Sequence, residues 1–175
     1  MTEASASLGL RQATLALAPY DPKWAEAFAA EVILIRDALP DVSFEIDHIG
    51  STALPDLPAK PILDIAMSAD ANEVPRIAEA LVSLGYIDRG IRSGRLFIRL
   101  RGTDVRTHNL HLYESGDPDY CAQIAFRDAL REDPSLRDRY ANLTQDLVVR
   151  LGDAGRGRYA DEKTDFVRAA TPPAR

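Results

Sequence analysis

Cys121 is the one cysteine in 175 residues. No intramolecular disulfide can form, and a zinc site built from thiolates is excluded. Long apolar runs are missing as well. The longest purely aliphatic stretch, Val32 to Ile35, falls far short of the ~20 apolar residues that a membrane helix needs. The first residues, Met1 to Gly9, carry no Lys or Arg ahead of an apolar region, so they do not read as a secretory signal. The expectation is a cytoplasmic chain with no membrane partner. Positive charge is in deficit: 21 Lys and Arg stand against 27 Asp and Glu, a net charge of -6, which argues against general nucleic-acid binding through a basic surface. Lysine occurs only at Lys23, Lys60 and Lys163, and histidine only at His48, His108 and His111. Residues this scarce carry information about function wherever they gather.

The remaining composition, 46% hydrophobic and 27% charged, is that of an ordinary globular protein, and the length suits one domain. Residues 1–12 are small, polar and aperiodic and are expected to fray, which leaves one domain over 13–170 and a proline-containing tail over 171–175. Thr14 to Ala18 reads as a short strand. Asp21-Pro22 then opens a helix with Trp24, Phe28, Ile35 and Leu39 on one face, stopped by Pro40. Ser43 to Ile49 alternates, with Phe44, Ile46 and His48 on one face and Glu45 and Asp47 on the other. After a proline-rich loop, Ile62 to Met67 is apolar except for Asp64 and reads as a buried strand that neighbours the first. A helix over Glu73 to Leu84 ends at Gly85. Leu96 to Arg101 and Arg106 to Tyr113 form a hairpin around Gly102-Thr103-Asp104. Helices fill the rest, opened at Asp117-Pro118, broken at Asp133-Pro134 and interrupted between Gly152 and Gly157. The class is α+β, a mixed β-sheet flanked by helices with a helical C-terminal part.

Chemistry concentrates between His48 and Ala66. A single carboxylate inside an aliphatic strand costs free energy unless it has a partner, so Asp64 is either metal-bound or paired with an arginine. Gly50-Ser51 follows a strand, where a glycine lets backbone approach a ligand while N–H groups and a hydroxyl face an anion. Lys60 stands just before the Asp64 strand, placed to neutralise a phosphate or pair with Asp64, unless it is an exposed loop lysine. Strand alternation puts Asn109, His111 and Tyr113 on one face and His108 on the other, so only one of these histidines faces Asp64. Arginines 89, 92, 95, 99, 101 and 106 crowd the hairpin region, as a solvated face or as an attractor for polyanions.

The spacing from Gly50-Ser51 to Asp64 resembles the signature of the DNA polymerase β-like nucleotidyltransferases, in which Gly-Ser holds triphosphate and carboxylates hold metal ions. The position two residues on, where a second carboxylate would stand, is Ala66. A closer resemblance covers nearly the whole chain. The run IDHIGSTALPDLPAKPILDIAM looks like the motif of the GrpB (UPF0157-type) family of uncharacterised proteins, which has a nucleotidyltransferase-like fold, a single Asp at this place and occasional fusion to dephospho-CoA kinase. The opening at Ala18 to Trp24, the strand at His111, the run Phe126 to Arg131 and the Tyr-x-x-x-Lys-x-x-Phe ending at Tyr159 to Phe166 are similar too. What the resemblance implies is a nucleotidyltransferase-like enzyme that moves a nucleotidyl or phosphoryl group to a small acceptor, or a non-catalytic nucleotide- or metabolite-binding module on the same fold. Asp64 and His111 would be catalytic, and Asp64, His111 and His48 would hold Mg²⁺ or Mn²⁺. Gly50, Ser51, Lys60, Arg127 and Lys163 would bind the phosphates of a nucleoside triphosphate. For Arg127 and Lys163 the competing expectation is surface ion pairing, for example Arg127 with Asp128.

Overall fold

Leu63 to Ala69 forms a strand buried on both faces, and the rest of the molecule is arranged around it. A computed structural model of the protein describes residues 8–172. The strands are β1 (Leu10–Arg11), β2 (Phe44–Ile49), β3 (Leu63–Ala69), β4 (Ile87–Arg92), β5 (Gly94–Arg101) and β6 (Val105–Glu114). They make one sheet in the order β2-β3-β6-β5-β4, with β1 added to β6. β3 and β6 run parallel and every other pairing is antiparallel. The helices are α1 (Lys23–Ala38), α2 (Val74–Ser83), α3 (Pro118–Glu132), α4 (Pro134–Leu151) and α5 (Thr164–Ala170). The α+β class and the adjacency of β2 and β3 are as the sequence predicts.

Local chemistry sets the boundaries. The Asp21 carboxylate accepts the Lys23 N–H at 2.9 Å, and the Asp133 carboxylate accepts the Leu136 N–H at 3.0 Å, so the Asp-Pro break is also the cap of α4. On one face of the sheet, α1 and α2 bury Trp24, Ile35, Ile77 and Leu81 against Leu63, Ile65, Met67, Phe97 and Leu110. Each such side chain contributes about 1.5–3 kcal/mol. The other face, carrying Ile49, Ala66 and Tyr113, meets Tyr120 of α3. A second apolar cluster joins α3 and α4, with Phe126, Leu130 and Tyr140, to Leu54 and Leu57 of the proline-rich loop.

The structure corrects three expectations and adds a strand. Leu8 and Leu10 are buried, and Leu10–Arg11 pairs with β6, so the chain is pinned from Leu8. Residues 1–7 and 173–175 of the expected tails lie outside the described residues. Thr14 to Ala18 is no strand. Its one ladder contact is a bridge from Ala18 to Ala59, and the Leu15 N–H goes to the Asp153 side chain instead. β4 escapes the sequence pattern because its residues are mostly exposed on an edge and its register shifts between Asp88 and Ile91. The last helical segment is broken into turns at Asp153–Arg158 and Asp161–Lys163 before α5.

Candidate active-site cleft

Strand register decides which side chains meet. Ile49 stands opposite Asp64 and Asp47 opposite Ala66 across β2 and β3. Asp64 stands beside Asn109 and Ala66 beside His111 across β3 and β6. Because side chains alternate, Asp47, Asp64, Asn109 and His111 share one face and His48 lies on the other. Gly50 has φ +69°, and a Cβ there would lie 2.7 Å from Asp64 Oδ2. Only glycine lets the backbone turn this close over the carboxylate. The Asn109 amide donates to Asp64 Oδ1 at 2.8 Å, so the half-buried carboxylate is satisfied by an amide rather than by an arginine.

A cavity of about 850 Å³ opens here, lined on the sheet side by Gly50, Ser51, Lys60, Asp64, Asn109 and His111 and on the helical side by Phe126, Tyr140, Tyr159 and Lys163. Two of the chain's three lysines meet at one ring in it. Lys60 Nζ lies 4.8 Å and Lys163 Nζ 4.4 Å from the Tyr159 centroid. Burial pushes the Lys60 ammonium down to about 8, with Asp64 partly opposing and Lys163, Arg156 and Arg106 adding to the fall. Lys163 moves the other way. Burial works against its charge, but Tyr140, Tyr159 and Asp64 outweigh it and hold it above the ordinary lysine range; its ammonium donates to the Tyr140 hydroxyl at 3.3 Å. His111 Nδ1 lies 2.8 Å from the Ser93 carbonyl. A carbonyl only accepts, so Nδ1 carries a proton, and in the neutral ring the electron pair sits on Nε2.

The cleft therefore gathers Gly50, Ser51, Lys60, Asp64, His111 and Lys163. It does not gather His48 or Arg127. His48 is buried behind the turn, stacked on Phe28 at 4.8 Å and 2.9 Å from Thr52 Oγ1. Burial, with Arg131 and Arg127 adding and Asp64 opposing, lowers its pKa to about 4. Arg127 donates at 2.8 Å to Asp47 and to Asp128 and at 3.1 Å to the His48 carbonyl, and Tyr120 donates to Asp47 at 2.7 Å. The carboxylate nearest Ala66 on this face is thus Asp47, already neutralised by Arg127. Asn109, Tyr159 and Asp47 were not singled out from sequence. The signals were there in strand alternation, in the four-residue step from Tyr159 to Lys163, and in the polar face of β2.

Among the described residues no three His, Cys, Asp or Glu side chains gather as a metal-binding group. Beside Asp64 the one orphaned polar atom is Asn109 Oδ1, closed off from the cavity by burial, and both lysines bring positive charge to the same space. The carboxylates in the cavity lining are Asp64 and Asp119, the latter accepting from the Ser93 hydroxyl, and with two ammonium groups in the same space they do not fit a two-ion centre.

Fold and site together define an α+β protein whose mixed sheet carries a polar cleft beneath its C-terminal helices. The family model described as GrpB protein matches residues 14–172, and the chain belongs to this family. It is 32% identical over 154 residues to UPF0157 protein YqkA of Bacillus subtilis, covering 86% of this chain and 44% of that relative's length. It is 35% identical over 156 residues to UPF0157 protein SCO7215 of Streptomyces coelicolor, covering 89% and 81%. The crystal structure of the conserved protein GrpB from Enterococcus faecalis superposes with a TM-score of 0.74 at 26% identity, over 89% of this chain and 94% of that one. Among the described residues no helix is long and apolar enough to cross a membrane.

Proposed function

We propose that the cleft binds a phosphate-bearing nucleotide and transfers its nucleotidyl or phosphoryl group to a small acceptor. The observation that carries this reading is the meeting of Lys60 and Lys163 on the Tyr159 ring, in the cavity that also holds Asp64 and the Gly50-Ser51 turn. The lysines neutralise the phosphates, while the turn's backbone N–H groups and the Ser51 hydroxyl donate to them. The aromatic and apolar wall of α3 and α5 suits the nucleoside. Asp64, or the free Nε2 of His111, accepts the proton of an incoming hydroxyl as the new bond to phosphorus forms and the leaving phosphate departs toward the lysines. A second reading, a binding module without turnover, is favoured by Ala66 and by the Arg127-paired Asp47, because neither position supplies Asp64 with a second strand carboxylate.

Thermal unfolding with nucleoside triphosphates, with and without Mg²⁺, is the test, since any ligand of the native state raises the midpoint. At least one triphosphate is expected to raise it, and Lys163→Met is expected to weaken that affinity about tenfold, the worth of one charge-assisted contact. No shift with any triphosphate sinks the transferase and the nucleotide-binding module alike. A shift without nucleotide consumption by phosphorus NMR, across a panel of alcohols and amines, selects the module.

A further inference from the structure

The Gly50-Ser51 turn has a second cavity behind it. This space of about 380 Å³ is lined by Tyr20, His48, Thr52, Ala53, Arg131 and Arg137 among others, and its lining contains no Asp or Glu. The Asp133-Pro134 break accounts for the pair of guanidinium groups: Arg131 closes α3 and Arg137 stands in the opening turns of α4, so the reversal of direction turns both toward one space. Arg131 donates to the Ala53 carbonyl at 3.0 Å and lies 3.6 Å from Asp128, a carboxylate that Arg127 already holds at 2.8 Å. Arg137 makes no side-chain hydrogen bond or ion pair among the described residues, and neither does the Tyr20 hydroxyl. The floor is neutral and fixed. Thr52 Oγ1 donates to the Ile62 carbonyl, so it accepts from His48 Nε2–H, and a buried imidazole in this tautomer adds no charge.

A concave site with two converging guanidinium groups, free donor capacity and no carboxylate in its wall is built for an oxyanion, which guanidinium forks bind in a bidentate way. The geometry points to a second ligand site, in which Arg131, Arg137 and the Tyr20 hydroxyl hold the phosphate or carboxylate group of a small molecule. It is separate from the cleft and does not depend on what the cleft binds. Thr52 lines both cavities, so an occupant here rests against the back of the turn that passes over Asp64.

Proton NMR of the three histidine rings reads this site directly, because His48 is the histidine in its wall. Inorganic phosphate and acetate are titrated separately at pH 7 and constant ionic strength, with chloride as the control. A saturable shift of the His48 ring is expected with at least one of the two, unchanged in Lys163→Met, where the cleft is altered, and weakened about tenfold or more in Arg137→Gln. Saturation by phosphate alone or by acetate alone names the source of the oxyanion. A shift that merely follows ionic strength overturns the site, as does one that survives both Arg137→Gln and Arg131→Gln, or one that disappears in Lys163→Met. Arg137 is a half-exposed surface arginine, and the histidine spectrum itself reports whether the variant is folded.

Discussion

Lys60 is an unusual residue in its setting: a half-buried ammonium that sits over an aromatic ring. With its pKa near 8 in the fold and about 10.4 in an unfolded chain, the unfolded state binds more protons between these values. Stability therefore rises with pH across that window from this group, and below pH 8 the native state bears the full cost of the buried charge. Tyr159, whose pKa burial raises, acts in the opposite sense above about pH 10, so the clean interval is pH 8 to 10. Lys60→Met, which keeps the stem and removes the charge, should be more stable than the natural protein at pH 7 and lose that advantage by pH 10. Urea unfolding midpoints of the two proteins at several pH values check this, and parallel curves would mean that the Lys60 charge is solvated. A ligand phosphate in the cleft should offset the cost of that buried charge and reverse the order at pH 7.

At the scale of elements, the turn between β2 and the one-turn helix Ser51–Ala53 couples backbone conformation to the site. Gly50→Ala forces a side chain into a left-handed conformation and drives its Cβ against Asp64 Oδ2 at 2.7 Å. Gly85, at the end of α2, has φ +87° with nothing within 4 Å of a Cβ. Gly85→Ala should cost about 1 kcal/mol, the backbone term alone. Gly50→Ala should cost more, and it alone should weaken binding in the cleft. Equal stability losses, or unimpaired binding, would mean that Asp64 can step aside. The same elements show what was legible in the sequence. β3 was, because an aliphatic run with one carboxylate has few places to go. So was the sharing of one cleft by Ser51 and Asp64, because the glycine stood at the end of a strand. β4 was not, since an edge strand facing water has no apolar alternation to read. Nor was the position of Arg127, because its partner Asp47 is chosen by tertiary packing, and from sequence the neighbouring Asp128 was the visible candidate.

The whole molecule divides its labour between the two faces of the sheet. The cleft occupies one. Behind the other, on the apolar face of α1 where a hydrophobic residue is expected, Glu31 is 6% exposed. It accepts the Tyr86 hydroxyl at 2.9 Å and pairs with Arg99 of β5, whose guanidinium lies 4.6 Å from the Tyr86 centroid. This network ties α1, the strand region after α2 and the centre of the sheet together, and no part of it lines the cleft. Glu31→Gln keeps the shape, removes the anion and leaves Arg99 charged at 19% side-chain exposure, which should cost about 3 kcal/mol. Because the network and the cleft share no partners, the two should behave independently. Glu31→Gln should lower the unfolding midpoint without changing the ligand-induced increment at saturation, whereas Asp64→Asn should alter ligand binding with little change in the midpoint of the free protein. A Glu31 variant that loses ligand affinity while still folded would join the two faces into one cooperative site, and the separation of support from chemistry across this sheet would have to be abandoned.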